Sequence, residues 1–231
     1  MKNSTVSSES LARRIGVAVT TWTLISLVLL SAWGWDGLGA FAKSWPRRLL
    51  LPVWLGLSVY GAWCDTRTSH SAGKREIRRH RQALRVVLPI LFAWFIALPI
   101  ADRRALGTVN REVVRWGGLL LFAASLLLRI ESIRAQGKQF SMHVALQEGH
   151  KLATGGPYRW VRHPAYLSVI GMVLGISLVL GNVLLGLAIT VINALWLNGR
   201  MRDEEMLMLE EFGGEFSRYQ AKTKKLIPFV Y

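Results

Sequence analysis

Residues Tyr166–Leu197 read YLSVIGMVLGISLVLGNVLLGLAITVINALWL, two uncharged arms of 15 residues each parted by Gly181-Asn182. A Gly-Asn pair inside an apolar run is a turn signal, so the stretch reads as a helical hairpin. At 1.5 Å per residue each arm reaches about 22 Å. Whether the hairpin spans or re-enters, its two ends emerge on one side. The flanking segments Tyr158–Tyr166 and Arg200–Glu205 are therefore predicted to face each other at one membrane surface.

The rest of the chain fits a lipid solvent. Of 231 residues, 52% are hydrophobic and ten are tryptophan, with mean hydropathy +0.30. The apolar residues fall into blocks, as membrane helices of roughly 20 residues do. Ahead of the hairpin these blocks are Ile15–Trp35, Leu49–Cys64, Val86–Ala101 and Val113–Ile130. Arg13 and Arg14 precede the first block as they would a secretory signal, but its apolar core is long and no small-residue cleavage site follows, so it reads as a retained span. Trp33, Trp35, Trp45 and Trp116 lie near block ends, where interfacial belts form. The net charge of +15 has a topological reading rather than a nucleic-acid one, because Lys and Arg collect on cytoplasmic loops. Of the 29 Lys and Arg, 22 fall in the N-terminal tail, the Asp65–Arg85 loop and the region from Arg129 onward, against 7 on the other side. Both termini are expected in the cytoplasm. The basic run Lys74–Arg85 reads as a topogenic loop or a contact with anionic lipid headgroups.

The expected fold is thus an all-α integral membrane protein. A polar tail (1–14) leads into four N-terminal transmembrane helices (15–136). The region 137–231 follows, with a cytosol-facing polar segment, a membrane hairpin (165–199) and a C-terminal amphipathic helix (201–222) interrupted at Gly213-Gly214.

The polar residues between the blocks carry the chemistry. There is no Walker loop, glycine-rich dinucleotide fingerprint, HExxH motif or nucleophile elbow. The single cysteine, Cys64, excludes an internal disulfide and a multi-cysteine zinc site, and the five histidines lack metal-ligand spacing; no metal is expected. Pro164 suits the first turn of a helix, which places Arg162 and His163 at its mouth beside amides that favour an anion. Arg200 and Glu204, four apart, share one helical face. On these residues alone two readings stay open: a ligand site, or a salt-bridged interfacial helix pair with snorkelling arginines.

From about Phe140 onward the chain resembles the isoprenylcysteine carboxyl methyltransferase family and its relatives, the membrane phospholipid methyltransferases. The matching pieces are His150-Lys151-Leu152-Ala153-Thr154-Gly155-Gly156-Pro157-Tyr158, Arg162-His163-Pro164-Ala165-Tyr166, Arg200 with Glu204-Glu205, Phe212-Gly213 with Glu215-Phe216 and Tyr219, and Ile227-Pro228-Phe229. The family uses S-adenosylmethionine. Carried over by position, the resemblance implies that His150, Lys151, Leu152, Ala153, Tyr158, His163, Pro164, Ala165, Tyr166 and Glu204 hold this cofactor. It implies that Arg200 is the catalytic, substrate-binding residue. Where the family usually has a glycine, this chain has Ser168, and no role falls to His143 or Gln147.

The chemistry suits those assignments. The cofactor's ammonium wants a carboxylate such as Glu204, and its own carboxylate wants cationic or N–H donors near His163. Its sulfonium suits tyrosine faces. A carboxylate acceptor needs no general base, and Arg200 can hold one through a two-pronged contact. The implied activity is O-methylation of a prenylcysteine-like or other lipophilic acid. The implied partners are a prenylated or lipophilic substrate and membrane lipids, with no nucleic acid. The implied location is a multi-pass position in a bacterial inner membrane, or in the endoplasmic reticulum of a eukaryote. Rival readings are N-methylation of a phospholipid amine such as phosphatidylethanolamine, an NADPH-dependent sterol-type reductase with a similar histidine-proline-tyrosine pattern, and a scaffold with a degenerate site.

Overall fold

The computed structural model describes residues 3–64, 75–76, 78–137, 140, 145–146 and 151–227. Among these described residues, regular structure is helical apart from an antiparallel pair of two-residue strands, β1 (Arg75–Glu76) and β2 (Ala145–Leu146). The helices are α1 (Asn3–Trp33), the short α2 (Leu38–Phe41), α3 (Trp45–Trp63), α4 (Arg78–Arg103), α5 (Glu112–Gln136), α6 (Pro164–Val179), α7 (Val183–Phe212) and α8 (Gly214–Lys222). By length and composition four of them can cross a membrane: α1 from Leu11, α4 from Arg85, α5 and α7. The chain is a membrane protein with several apolar helices.

Two expectations change here. The block Leu49–Cys64 lies in α3, which is not among those four. Its first turn carries Arg47, folded inward onto Asp102 at 2.7 Å, and Arg48, lying 4.1 Å over the Trp45 ring. The second arm of the hairpin does not stop near Leu197. It continues through Arg200, Glu204 and Glu205 to Phe212, because the acids and methionines that follow are good helix formers. The helix ends only at Gly213, whose φ of 51° with ψ of −120° is a backbone conformation that glycine adopts and other residues rarely do. The side that carries the acids is thereby rigidly continuous with the membrane arm.

Helix α5 is the hub. Its closest neighbour is α6, and the contact is made by small residues, as membrane helices that approach closely require. A Cβ on Gly118 would come within 2.6 Å of Leu178 Cβ and the Val179 amide, and one on Gly175 within 2.7 Å of the Phe122 amide. Around this seam Leu29, Leu50, Leu98, Phe122, Val173, Ile176 and Val179 form the buried core. Trp33, read as interfacial, belongs to this core instead. Its indole N–H donates to Gly37 O at 3.0 Å and its ring meets Phe41 edge-on at 5.2 Å.

At the start of α5, Arg115 donates to Asp102 from α4 at 2.9 Å and to Val179 O from α6 at 2.7 Å. Asp102 also takes Arg47. This buried cluster ties α3, α4, α5 and α6 at one pole. Gln136, at the other end of α5, lies about 30 Å away at 1.5 Å per residue, close to the thickness of a hydrocarbon core. The side chains of 74–84 within the basic run lie outside the described residues.

Candidate functional site

The turn at Gly181-Asn182 reverses the chain as the sequence predicts. Asn182 N donates to Ser177 O at 2.8 Å, and Gly181, at φ 71°, stands where a side chain would strike Arg115. The reversal brings the mouth of α6 against the extended end of α7. There Tyr166 Oη donates to Glu204 Oε2 at 2.8 Å. Next to it Glu205 Oε1 accepts from Arg162 Nε at 2.8 Å and meets His163 Nε2 at 3.1 Å. The two acids thus divide: Glu205 is compensated by a cation and an imidazole, while Glu204 is held by a neutral hydroxyl and keeps acceptor capacity for another donor.

Pro164 opens α6 at its first position, and His163 O accepts from the amides of Tyr166 and Leu167, both at 3.1 Å. The loop just before it is clamped from the C-terminal side. Arg162 N donates to Lys224 O at 2.8 Å, His163 N to Lys225 O at 3.1 Å, and Lys224 N to Trp160 O at 3.2 Å. Arg162 Nη1 adds bonds to Thr223 O at 2.6 Å and Gln220 O at 3.3 Å. Helix α8 completes the clamp, since Tyr219 Oη donates to Tyr158 O at 2.7 Å. Burial pushes the Tyr219 hydroxyl up to about 12. Tyr158 is raised well above the usual phenol value by its burial first and by Glu204 second. Both stay neutral in ordinary buffers.

Between these walls lies an open pocket lined by Gln136, Leu152, Ala153, Tyr158, His163, Glu204 and Tyr219, among others. Its empty space is about 390 Å³, including the part open to solvent. Of the residues singled out in the sequence, Leu152, Ala153, Tyr158, His163 and Glu204 line it. Lys151 is exposed on the approach, Pro164 is buried in the helix start, and Ala165 and Tyr166 are half-buried behind the wall. His150 lies outside the described residues. Arg200 is buried one turn below Glu204, its guanidinium 5.7 Å from the Tyr166 ring and 5.2 Å from that of Trp196. Cationic charge on an aromatic face is favourable, and it aims Arg200 beside Tyr166.

Several lining residues carried no assigned role in the sequence. Phe216 and Tyr219 stood in a recognised stretch, but nothing there said that α8 folds back onto Tyr158. Glu205 was one of a pair of acids, and only the fold separates its partners from those of Glu204. Gln136, at the end of an apolar helix, gave no signal. Among the described residues no cluster of three His, Cys, Asp or Glu can hold a metal ion.

Comparison with known proteins adds to this geometry. Residues 118–210 match the model of the isoprenylcysteine carboxyl methyltransferase (ICMT) family, so the resemblance read in the sequence stands. A probable protein-S-isoprenylcysteine O-methyltransferase of Oryza sativa subsp. indica is 28% identical over 119 residues, 51% of this chain and 62% of its own. The protein-S-isoprenylcysteine O-methyltransferase of Schizosaccharomyces pombe is 30% identical over 105 residues, covering 45% of this chain and 44% of that one. The human enzyme is 28% identical over 116 residues, covering 49% and 40%. These matches span less than two thirds of each relative's length. In fold the chain is similar to a solved structure of the eukaryotic intramembrane Ras methyltransferase ICMT, with TM-score 0.54 and 19% identity over 99% of this chain and 88% of that one.

Proposed function

We propose, from that likeness and the meeting of the two polar segments, that this chain is an integral-membrane, S-adenosylmethionine-dependent methyltransferase acting on the carboxylate of a prenylcysteine-like or other lipophilic acid. The observation that carries the reading is the Tyr166–Glu204 bond at 2.8 Å beside Arg200. It sets a carboxylate of the pocket wall against Tyr166, whose ring lies 5.7 Å from the buried Arg200 guanidinium, at a membrane-helix end. On the topology expected from the charges, this end faces the cytosol.

The pocket's chemistry fits the cofactor. Glu204 suits an ammonium, and the faces of Tyr158 and Tyr166 suit a sulfonium. The positive end of the α6 dipole beside His163 suits a carboxylate. With Glu205 already compensated by Arg162 and His163, the acid that remains favours a cationic ligand over the phosphates of a dinucleotide. When bound, S-adenosylmethionine supplies an electrophilic methyl group.

The chain's own residues then orient and desolvate. Arg200, shielded by Trp196 and Tyr166, holds the acceptor carboxylate. Tyr166 fixes Glu204 and hence the position of the donor. The α8 clamp holds Tyr158 in place at the pocket wall. In-line displacement between two aligned groups draws its rate from such positioning and water exclusion, and no proton need be removed from a carboxylate.

The test is calorimetry of the purified protein with S-adenosylhomocysteine. Binding is expected for wild type and Arg200→Ala, and lost in Glu204→Ala and His163→Ala. Wild-type protein that is folded yet binds none would overturn the reading.

A further inference from the structure

Helix α5 ends in the pocket, and its last residue has no role in the proposed reaction. Gln136 closes the helix, is half-buried and lines the pocket wall beside Leu152, Ala153 and Tyr158. Its side-chain amide makes no hydrogen bond among the described residues. The fold fixes this placement. The short 3-10 turn Gly156–Arg159, which carries Tyr158, rests on the last turn of α5, where a Cβ on Gly156 would stand 3.3 Å from Ala135 Cβ. Gln136 is the next residue after Ala135, so its amide opens toward the loop that leads from Leu152 to Tyr158.

The pocket wall divides by charge. Glu204, Glu205, Arg162 and His163 form its ionic part, and Glu205 already pairs with the latter two. Gln136, Leu152, Ala153, Met208 and Phe216 bear no charge. S-adenosylmethionine divides in the same way. Its methionyl end bears an ammonium, a carboxylate and a sulfonium, whereas its adenine is flat and uncharged. An ion set against an uncharged wall loses hydration without compensation, so the base belongs on the uncharged part. Adenine presents there a 6-amino donor beside a ring-nitrogen acceptor. A carboxamide offers the complementary acceptor and donor side by side, the pairing by which glutamine and asparagine recognise adenine in nucleic acids. Among the described lining residues Gln136 has the only carboxamide.

Resting on the function proposed above, we infer that Gln136 reads the adenine of the cofactor, its Oε1 accepting from the 6-amino group and its Nε2 donating to the ring nitrogen beside it. Gln136 is on this account a specificity-determining residue for the nucleobase, supplied by the hub helix α5 rather than by the segments flanking the hairpin. A solvated glutamine at a helix end is the competing account, and it predicts no link between this side chain and the base.

The experiment is calorimetry of the full-length protein in detergent with two ligands: S-adenosylhomocysteine, and its analogue with hydrogen in place of the 6-amino group. Wild type is expected to bind S-adenosylhomocysteine at least about fivefold more tightly than the analogue, the scale of one neutral hydrogen bond. Gln136→Met keeps the length and helix propensity of the side chain. In it S-adenosylhomocysteine should weaken about fivefold, and the two ligands should bind within about twofold of each other. In Gln136→Glu the preference for the amino group should persist, because a carboxylate still accepts from it and the added charge acts on both ligands alike. Gln136→Met should melt close to wild type, since the amide has no protein partner to lose. Equal binding of the two ligands by wild type, a preference that survives in Gln136→Met, its loss in Gln136→Glu, or a Gln136→Met variant melting well below wild type would each overturn the inference and leave the cofactor reading standing. Folded wild type that binds no S-adenosylhomocysteine overturns both.

Discussion

Replacing Glu205 by glutamine removes one charge from the wall of the pocket and nothing of its shape. In the native structure Glu205 Oε1 takes Arg162 Nε at 2.8 Å and His163 Nε2 at 3.1 Å, with the carboxylate only 16% exposed. Charge-assisted hydrogen bonds are worth about 1.5–3 kcal/mol and neutral ones about 1 kcal/mol. Each bond therefore loses about 1 kcal/mol in Glu205→Gln. Both bear on folding, because Arg162 also ties the α8 end through Thr223 and Gln220. Stability should fall by about 2 kcal/mol, the two losses together. Only the His163 bond bears on the pocket. The dissociation constant of S-adenosylhomocysteine should then rise about fivefold, the equivalent of about 1 kcal/mol. Thermal unfolding and calorimetry on the same preparation read the two effects separately. A stability loss with ligand affinity unchanged would refute the argument that Glu205 sets His163, and weaker binding with unchanged stability would refute the coupling through Arg162.

The remaining predictions address the scaffold and the clamp. Gly118→Ala should destabilise by about 1–3 kcal/mol through overpacking against α6, since the new Cβ meets backbone at 2.6 Å. Its neighbour Gly117 faces open space, so Gly117→Ala should melt at or above wild type. Asp102→Ala strands Arg47 and Arg115 in a buried site and should cost about 3–5 kcal/mol, while cofactor binding at low temperature persists because the pocket is at the far end of α5. Tyr219, raised to about 12 by burial, holds its proton above the unfolded value of about 10. Its contribution is intact below about pH 10 and is lost as pH rises to about 12. Thermal unfolding of wild type should fall across that window and that of Tyr219→Phe should fall less; parallel profiles would refute the assignment.

Much of the site was legible because its elements are local. Pro164 after His163 marks a helix start, Gly181-Asn182 marks a reversal, and Arg200 with Glu204 marks one helical face. Together they set the two polar segments side by side. The basic-to-apolar alternation likewise marked helices suited to lipid. Other features escaped because they depend on partners remote in sequence. Arg47 reads as a topogenic charge, yet it turns inward to Asp102, 55 residues away. Trp33 reads as interfacial, yet it is packed in the core. Helix formers fill the run from Arg200 to Phe212, but only the structure joins them without a break to the membrane arm.

The sequence by itself determined the solvent of this protein, its helical class and the residues that meet at the end of the hairpin. Those follow from hydropathy, turn chemistry and the helical repeat, which act over a few residues. Only the tertiary structure decided which acid is compensated and which is available, that α8 clasps Tyr158, and that Arg47 turns inward onto Asp102. Each of these depends on which groups touch across long stretches of chain, as His163 touches Glu205 and Tyr219 touches Tyr158. At that range pairing is set by packing geometry, and two adjacent glutamates of equal intrinsic chemistry acquire different roles from the side of α7 on which each emerges.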